Sequence, residues 1–177
     1  GHERAQLFLR GRAAVIRFLS PACGSEHRGG LFICTDRNYD LTSLEHKARN
    51  QTRRGLERCR IRKVDFAFLA GAGSELNIET FLRQGRSAES MGERQWQRYC
   101  EAAGRFADFD GWAAFCDGEL AAFAVAALVE DHYTVLWQSS ATKFLGSYPN
   151  NALTFTITKE ALARTDVGCV SYGLKSI

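Results

Sequence analysis

Apolar and polar positions are most regular in the second half of the chain. Gly111 to Cys116 reads as a strand and Glu119 to Val129 as its return, joined at Asp117-Gly118, residues that suit a two-residue hairpin turn. Glu130-Asp131 marks a second tight turn, and His132 to Ser139 a third strand. Together these predict an antiparallel meander. Thr142 to Pro149 then reads as a loop, and Asn150 or Asn151 as the cap of a helix running to about Arg164. Its expected buried face is Leu153, Phe155, Ile157, Ala161 and Leu162, and Cys169 to Leu174 is the closing strand.

The first half is less regular. Gln6 to Arg10 and Ala13 to Leu19 are β-like, the loop Ser20 to Gly30 follows, and Leu31 to Cys34 reads as a strand. Thr42-Ser43-Leu44-Glu45 has the capping-box form, in which Thr42 and Glu45 satisfy exposed amides reciprocally. The helix it opens runs to about Cys59, with apolar or small residues at 41, 44, 48, 52, 55, 56 and 59 making one stripe. Residues 60 to 66 alternate as a strand does, and Ser74 to Gln84 and Glu93 to Phe106 read as helices. The pattern predicts a single α+β domain over residues 1–177, with residues 1–109 leading into the meander region 110–177.

Composition changes this picture little. A chain of 177 residues buries roughly 70% of its extended surface, enough for a core without disulfides or metal. Net charge is +3, from 23 basic and 20 acidic residues, too mild to imply nucleic-acid binding by itself. The distribution is uneven, however, and Lys47, Arg49, Arg53, Arg54 and Arg58 lie opposite the apolar stripe of the first long helix. Six cysteines include no CxxC or CxH pair, so no metal site is expected, and their apolar surroundings predict free, buried thiols. The longest apolar run, Leu120 to Val129, is too short to span a membrane. These features predict a cytoplasmic protein.

Three passages carry a family resemblance: Arg49 to Leu56, Asp110 to Ala122, and Tyr148-Pro149-Asn150-Asn151-Ala152-Leu153 with Val170-Ser171-Tyr172-Gly173-Leu174. In this order, meander, loop, helix and strand resemble the central motif of GNAT-like acyltransferases, in the branch related to the Fem peptidoglycan aminoacyltransferases. The resemblance covers most of residues 31–177. It implies an α/β sandwich, a mixed and mainly antiparallel sheet flanked by helices. The chain ends where that fold would add a last helix and two strands, so these are expected to be lacking.

The resemblance also implies transfer of an acyl or aminoacyl group to an amine by direct attack. The third and last strands of the motif would splay to admit the donor's arm, because unpaired backbone groups can bind an amide-containing ligand. Trp137, Gln138, Ser139 and Ser140 would line one side, and Ser171, Tyr172 and Gly173 the other. Ser140 and Tyr172 are the candidate catalytic residues; Gln138, Ser139, Asn150 and Asn151 would hold the donor. Arg49, Arg53, Trp137 and Tyr148 would contact substrate. The donor would be a coenzyme A thioester, an acyl carrier or an aminoacyl-tRNA. The loop before the helix contains one glycine, Gly146, and lacks the glycine-rich pattern with which coenzyme A users cradle pyrophosphate.

Blander roles stand beside these. The basic helix face serves equally as a solvated surface, Gln138 to Ser140 as strand-end polarity, and Tyr172 as a packed residue. Glu130, Asp131 and His132 read as a polar turn. The alternative function is a non-catalytic module that binds a partner or forms a homodimer through an exposed last strand. A third reading is RNA binding through the basic helix.

Overall fold

The computed structural model describes residues 29–86 and 92–176. The two β-like runs predicted before residue 20 lie outside that range. Strand β1 (Gly29–Cys34) leads through a single 3-10 turn (Leu41–Ser43) to helix α1 (His46–Arg58), then strand β2 (Cys59–Val64). Helices α2 (Phe66–Arg83) and α3 (Glu93–Ala103) come next. The meander is β3 (Phe109–Cys116), β4 (Glu119–Val129) and β5 (His132–Ser140). A 3-10 segment (Thr142–Ser147) then leads into α4 (Pro149–Leu162) and β6 (Cys169–Ser176). Residues Leu31–Lys175 gather into one unit.

The six strands form one sheet in the order β1-β6-β5-β4-β3-β2. β2, β3, β4 and β5 pair antiparallel in sequence, whereas β5 and β6 pair parallel across the α4 crossover. Both turn positions of the first hairpin, Asp117 and Gly118, have positive φ, as that turn requires. Strand alternation sends Phe123, Trp137 and Ser139 toward α2 and α3, and Gln138 toward α4. The sheet is therefore covered on both faces. Ala121, Ala122, Ala124, Ala126 and Ala127 are all buried, and their small side chains let the helices approach β4 closely. Leu153, Phe155, Ile157, Ala161 and Leu162 are buried on α4, as the periodicity predicts. No described helix is long and apolar enough to cross a membrane.

Several expectations change. The capping box lies two residues earlier: Asp40 accepts from the Thr42 backbone N at 2.7 Å, and Ser43 Oγ accepts from the Asp40 backbone N at 3.3 Å. It closes the 3-10 turn, and α1 begins at His46 with no side-chain cap because Leu44 intervenes in extended conformation. Helix α2 begins at Phe66 rather than Ser74, capped by Asp65, which accepts from Phe68 N at 2.6 Å. Gly73 does not interrupt it; a Cβ there would come within 3.0 Å of the Trp96 indole nitrogen. Neither asparagine caps α4. Tyr148 holds that position with a left-handed backbone (φ 55°), and Pro149 begins the helix where no N–H is needed. Cys59 and Cys116, expected as free thiols, face each other across β2 and β3 and form a disulfide. β6 is not an exposed edge, because β1 lies beside it; among the described residues the outer strands are β1 and β2.

Candidate active site at the end of the third meander strand

Among the described residues β5 pairs in parallel with β6 from His132↔Cys169 to Val135↔Tyr172, and antiparallel with β4 as far as Ser140. The register with β4 shifts in mid-strand: Ala126 faces Val135 and Val125 faces Trp137, so Leu136 is an extra, bulged residue.

Side chains of α2 and α4 hold the end of β5. On the α2 face, Asn77 Oδ1 accepts from Trp137 Nε1 at 2.7 Å and from Ser139 Oγ at 2.6 Å. On the α4 face, Gln138 Nε2 donates to Asn150 Oδ1 at 3.0 Å. At the strand's end, Thr80 Oγ1 accepts from Ser140 N and donates to Ser140 O at 3.0 and 3.1 Å. Arg83 donates to Ser140 O and to Ser140 Oγ, both at 3.0 Å, and to Thr142 Oγ1 at 2.9 Å. Asn77, Thr80 and Arg83 repeat every three residues and so share one face of α2.

Two cavities flank this segment. One, of about 300 Å³, lies between α1 and α4 and is lined by Ala48, Thr52, Asn151, Thr154, Tyr39 and Tyr172. The other, of about 260 Å³, lies on the α2 side against Phe81, Trp137, Gln138 and Ser139. Tyr172 stands opposite Val135 with 48% of its surface exposed. Partial desolvation raises its phenol pKa above the ordinary value, so the hydroxyl is a proton donor at neutral pH. Burial, with Cys34 nearby, raises that of Tyr39 likewise.

The structure brings Gln138, Ser140 and Asn150 into one hydrogen-bonded group, with Asn151 and Tyr172 in the adjoining cavity. Trp137 and Ser139 belong to the α2 face, where Trp137 also packs among Phe81, Trp96 and Tyr99. Tyr148 serves the backbone: its carbonyl accepts from Ala152 N at 3.2 Å and lies against Gly55, where a Cβ would come to 2.5 Å. Arg49 turns back on its own helix start, donating to the Leu44 carbonyl from Nε and Nη2. Arg53 is exposed and donates to Asn50 Oδ1 at 3.0 Å. Neither arginine lines either cavity. The Glu130-Asp131-His132 turn sits at the far end of β5, where the Asp131 carbonyl accepts from Gly168 N and Cys169 N. Sequence reasoning missed Asn77, Thr80 and Arg83. Their three-residue spacing on a helix is the signal that marks them, once the facing strand is known.

No family model matches the sequence, and no curated protein matches it. Solved structures do. FemX superimposes with a TM-score of 0.70 at 14% identity, over 82% of this chain and 52% of that one. The fold is the GNAT-like acyltransferase fold. The C-terminal domain of a protein described as a lysylphosphatidylglycerol synthetase from Agrobacterium fabrum gives 0.58 at 13% identity, over 84% and 47% of the two chains. A protein described as an acetyltransferase from Clostridium acetobutylicum, with acetyl-CoA, gives 0.53 at 12%, over 65% and 80%. At such identities the likeness is one of fold. The chain spans about half the length of FemX.

Proposed function

We propose that this chain is an N-acyltransferase or aminoacyltransferase module whose donor lies at the end of β5. The observation that carries this reading is the hydrogen-bonded group of Gln138, Asn150 and Ser140 at the end of β5, beside the cavity that Asn150, Asn151 and Tyr172 line. The donor's arm would run along the last residues of β5, between Gln138 and Asn150 on one side and Trp137 and Ser139 on the other. An acceptor amine then attacks the donor carbonyl. The C–N bond forms, the bond to the leaving sulfur or oxygen breaks, and the amine gives up a proton to solvent. Tyr172, protonated at neutral pH, gives a proton to the leaving atom and takes one back from solvent. Ser140 serves the same centre through its hydroxyl. Most of the rate enhancement would come from positioning.

The acetyl-CoA in the Clostridium structure supports a coenzyme A thioester as donor, and the FemX likeness supports an aminoacyl donor. The single glycine before α4, Gly146, favours a donor not gripped through its pyrophosphate by that loop. Anionic groups of substrate would meet Arg53, whereas Arg49 acts through the turn it ties.

Thermal shift with acetyl-CoA, an acyl carrier thioester and an aminoacyl-tRNA analogue tests the reading. Stabilisation by one of them is expected, and Tyr172→Phe should lower turnover about 10²-fold while leaving that donor bound. Loss of activity at high pH, as the phenol ionises, should vanish in the same variant. No stabilisation by any donor would favour a binding module without catalysis.

A further inference from the structure

β2 is an outer strand of the sheet, and its pairing with β3 decides where its backbone points. Cys59 and Cys116 lie 4.5 Å apart at Cα, the spacing of a non-hydrogen-bonded antiparallel pair. Pair types alternate along such a ladder, so the outward groups are those of Cys59, Ile61 and Lys63. Cys59 fits this phase, because its N–H turns from β3 to the Gly55 carbonyl. Among the described residues no backbone partner meets the N–H or C=O of Ile61 and Lys63 on the outer side. Unpaired edge groups are a template for another extended chain.

Arg60 and Arg62 stand two residues apart and so share one face of the strand, and both are exposed. The Arg62 guanidinium lies 4.6 Å from the centroid of the Phe115 ring, which steadies it beside the edge. Among the described residues neither arginine pairs with a carboxylate, whereas Lys63 on the other face is matched by Asp110 at 2.7 Å. A second copy of the chain would set these arginines against their like, which destabilises a ladder. Carboxylates at alternate positions of a partner strand would match them. At the start of β2 a cavity of about 400 Å³ adds an apolar wall of Leu56 and Phe115, with Arg58, Glu57 and Asp117 also lining it.

We propose that the outer edge of β2 is a docking strand for an extended, acidic peptide segment of a partner protein. The segment adds to the sheet through backbone hydrogen bonds with Ile61 and Lys63, and its alternate carboxylates meet Arg60 and Arg62. An apolar side chain of the segment enters the cavity beside Leu56 and Phe115. The disulfide to β3 holds the start of the strand, so the template is ordered before the peptide arrives. β3 and β4 separate this edge from β5, and the inference is independent of the acyltransferase reading.

The test uses fluorescence anisotropy with short, capped synthetic peptides, with melting temperature and sedimentation followed for each protein. One probe alternates glutamate with threonine and valine; its counterpart has lysine in place of each glutamate. The wild type is expected to bind the glutamate probe about tenfold tighter than the lysine probe. The double variant Arg60→Glu, Arg62→Glu should reverse this order at an unchanged melting temperature. N-methylation of alternate residues of the glutamate probe separates pairing from charge, because it removes backbone donors and leaves the carboxylates. One phase of methylation should abolish binding and the other should spare it, as a strand paired on a single edge requires.

Equal binding of the two probes would overturn the charge assignment. The same effect from both phases of methylation would overturn strand addition. Binding of neither probe would sink the inference outright. A wild-type dimer that the glutamate probe dissociates would put a second copy on this edge instead. Displacement of the probe by an equal concentration of oligouridine would assign the surface to nucleic acid.

Discussion

The two halves of β5 are held in different ways. From His132 to Val135, the closed half, the strand has a neighbour on each side, and its main chain is fixed by ladders that work for almost any sequence. From Leu136 to Ser140, the half that opens on a cavity, four side chains of α2 and α4 hold the strand besides its ladder with β4: Asn77, Thr80, Arg83 and Asn150. The first arrangement is indifferent to side-chain identity. The second depends on particular residues, anchored from both faces of the sheet.

Breaking each kind of support should show the difference. The largest effect is expected outside β5, at the Cys59–Cys116 disulfide that ties the outer strand to the closed part of the sheet. Closing a loop of 57 residues stabilises by about 4 kcal/mol through the unfolded chain, so denaturant midpoints with and without reductant should differ accordingly. Equal midpoints would mean that the tie contributes nothing. Next, Asn77→Leu removes the acceptor shared by two donors, Trp137 and Ser139, and should cost about 2–4 kcal/mol. Hydrogen exchange should rise in the open half of β5 and not in the closed half. A uniform rise along the strand would break the distinction.

The counterpart in the closed half is Tyr133→Phe. Tyr133 donates to Asp110 Oδ2 at 2.7 Å and accepts from Trp112 Nε1 at 3.0 Å, so the change leaves a buried indole N–H unpaired. A loss of about 1–3 kcal/mol is expected, with exchange in the open half unaltered. The smallest effect concerns Glu79, whose carboxylate accepts from Thr142 N at 2.8 Å just beyond the open half. The hydrogen bonds from Thr142 hold its pKa below the usual glutamate range. Its contribution is therefore full above that range and is lost as pH falls through the lowered value. The difference between wild type and Glu79→Gln should shrink in acid, and stay below about 1 kcal/mol because the group is well solvated. A difference that grows in acid would reverse the sign assigned here.

The sheet and the candidate site were legible to different depths. The meander and the buried face of α4 follow from alternation and turn residues, which act locally. Gln138, Ser140, Asn150 and Tyr172 stand out as candidates because they sit at the ends of those elements. Asn77, Thr80 and Arg83 were not, because on a helix they look like ordinary polar residues until the facing strand is known. Cys59 and Cys116 escaped for a related reason: they are far apart in sequence, and only the β2–β3 register brings them opposite each other. The cap of α4 was misplaced because two asparagines outweighed the tyrosine before a proline, whose unusual backbone no local pattern announces.

Gly55 gives the molecule an adjustable spacing. With Cβ room missing against the Tyr148 carbonyl and the Ala152 methyl, the distance between α1 and α4 is set by an absent side chain. That distance is also the width of the cavity between Thr52 and Asn151. Engineering residue 55 would therefore act as a shim, altering which arms the groove admits without touching any group that meets them.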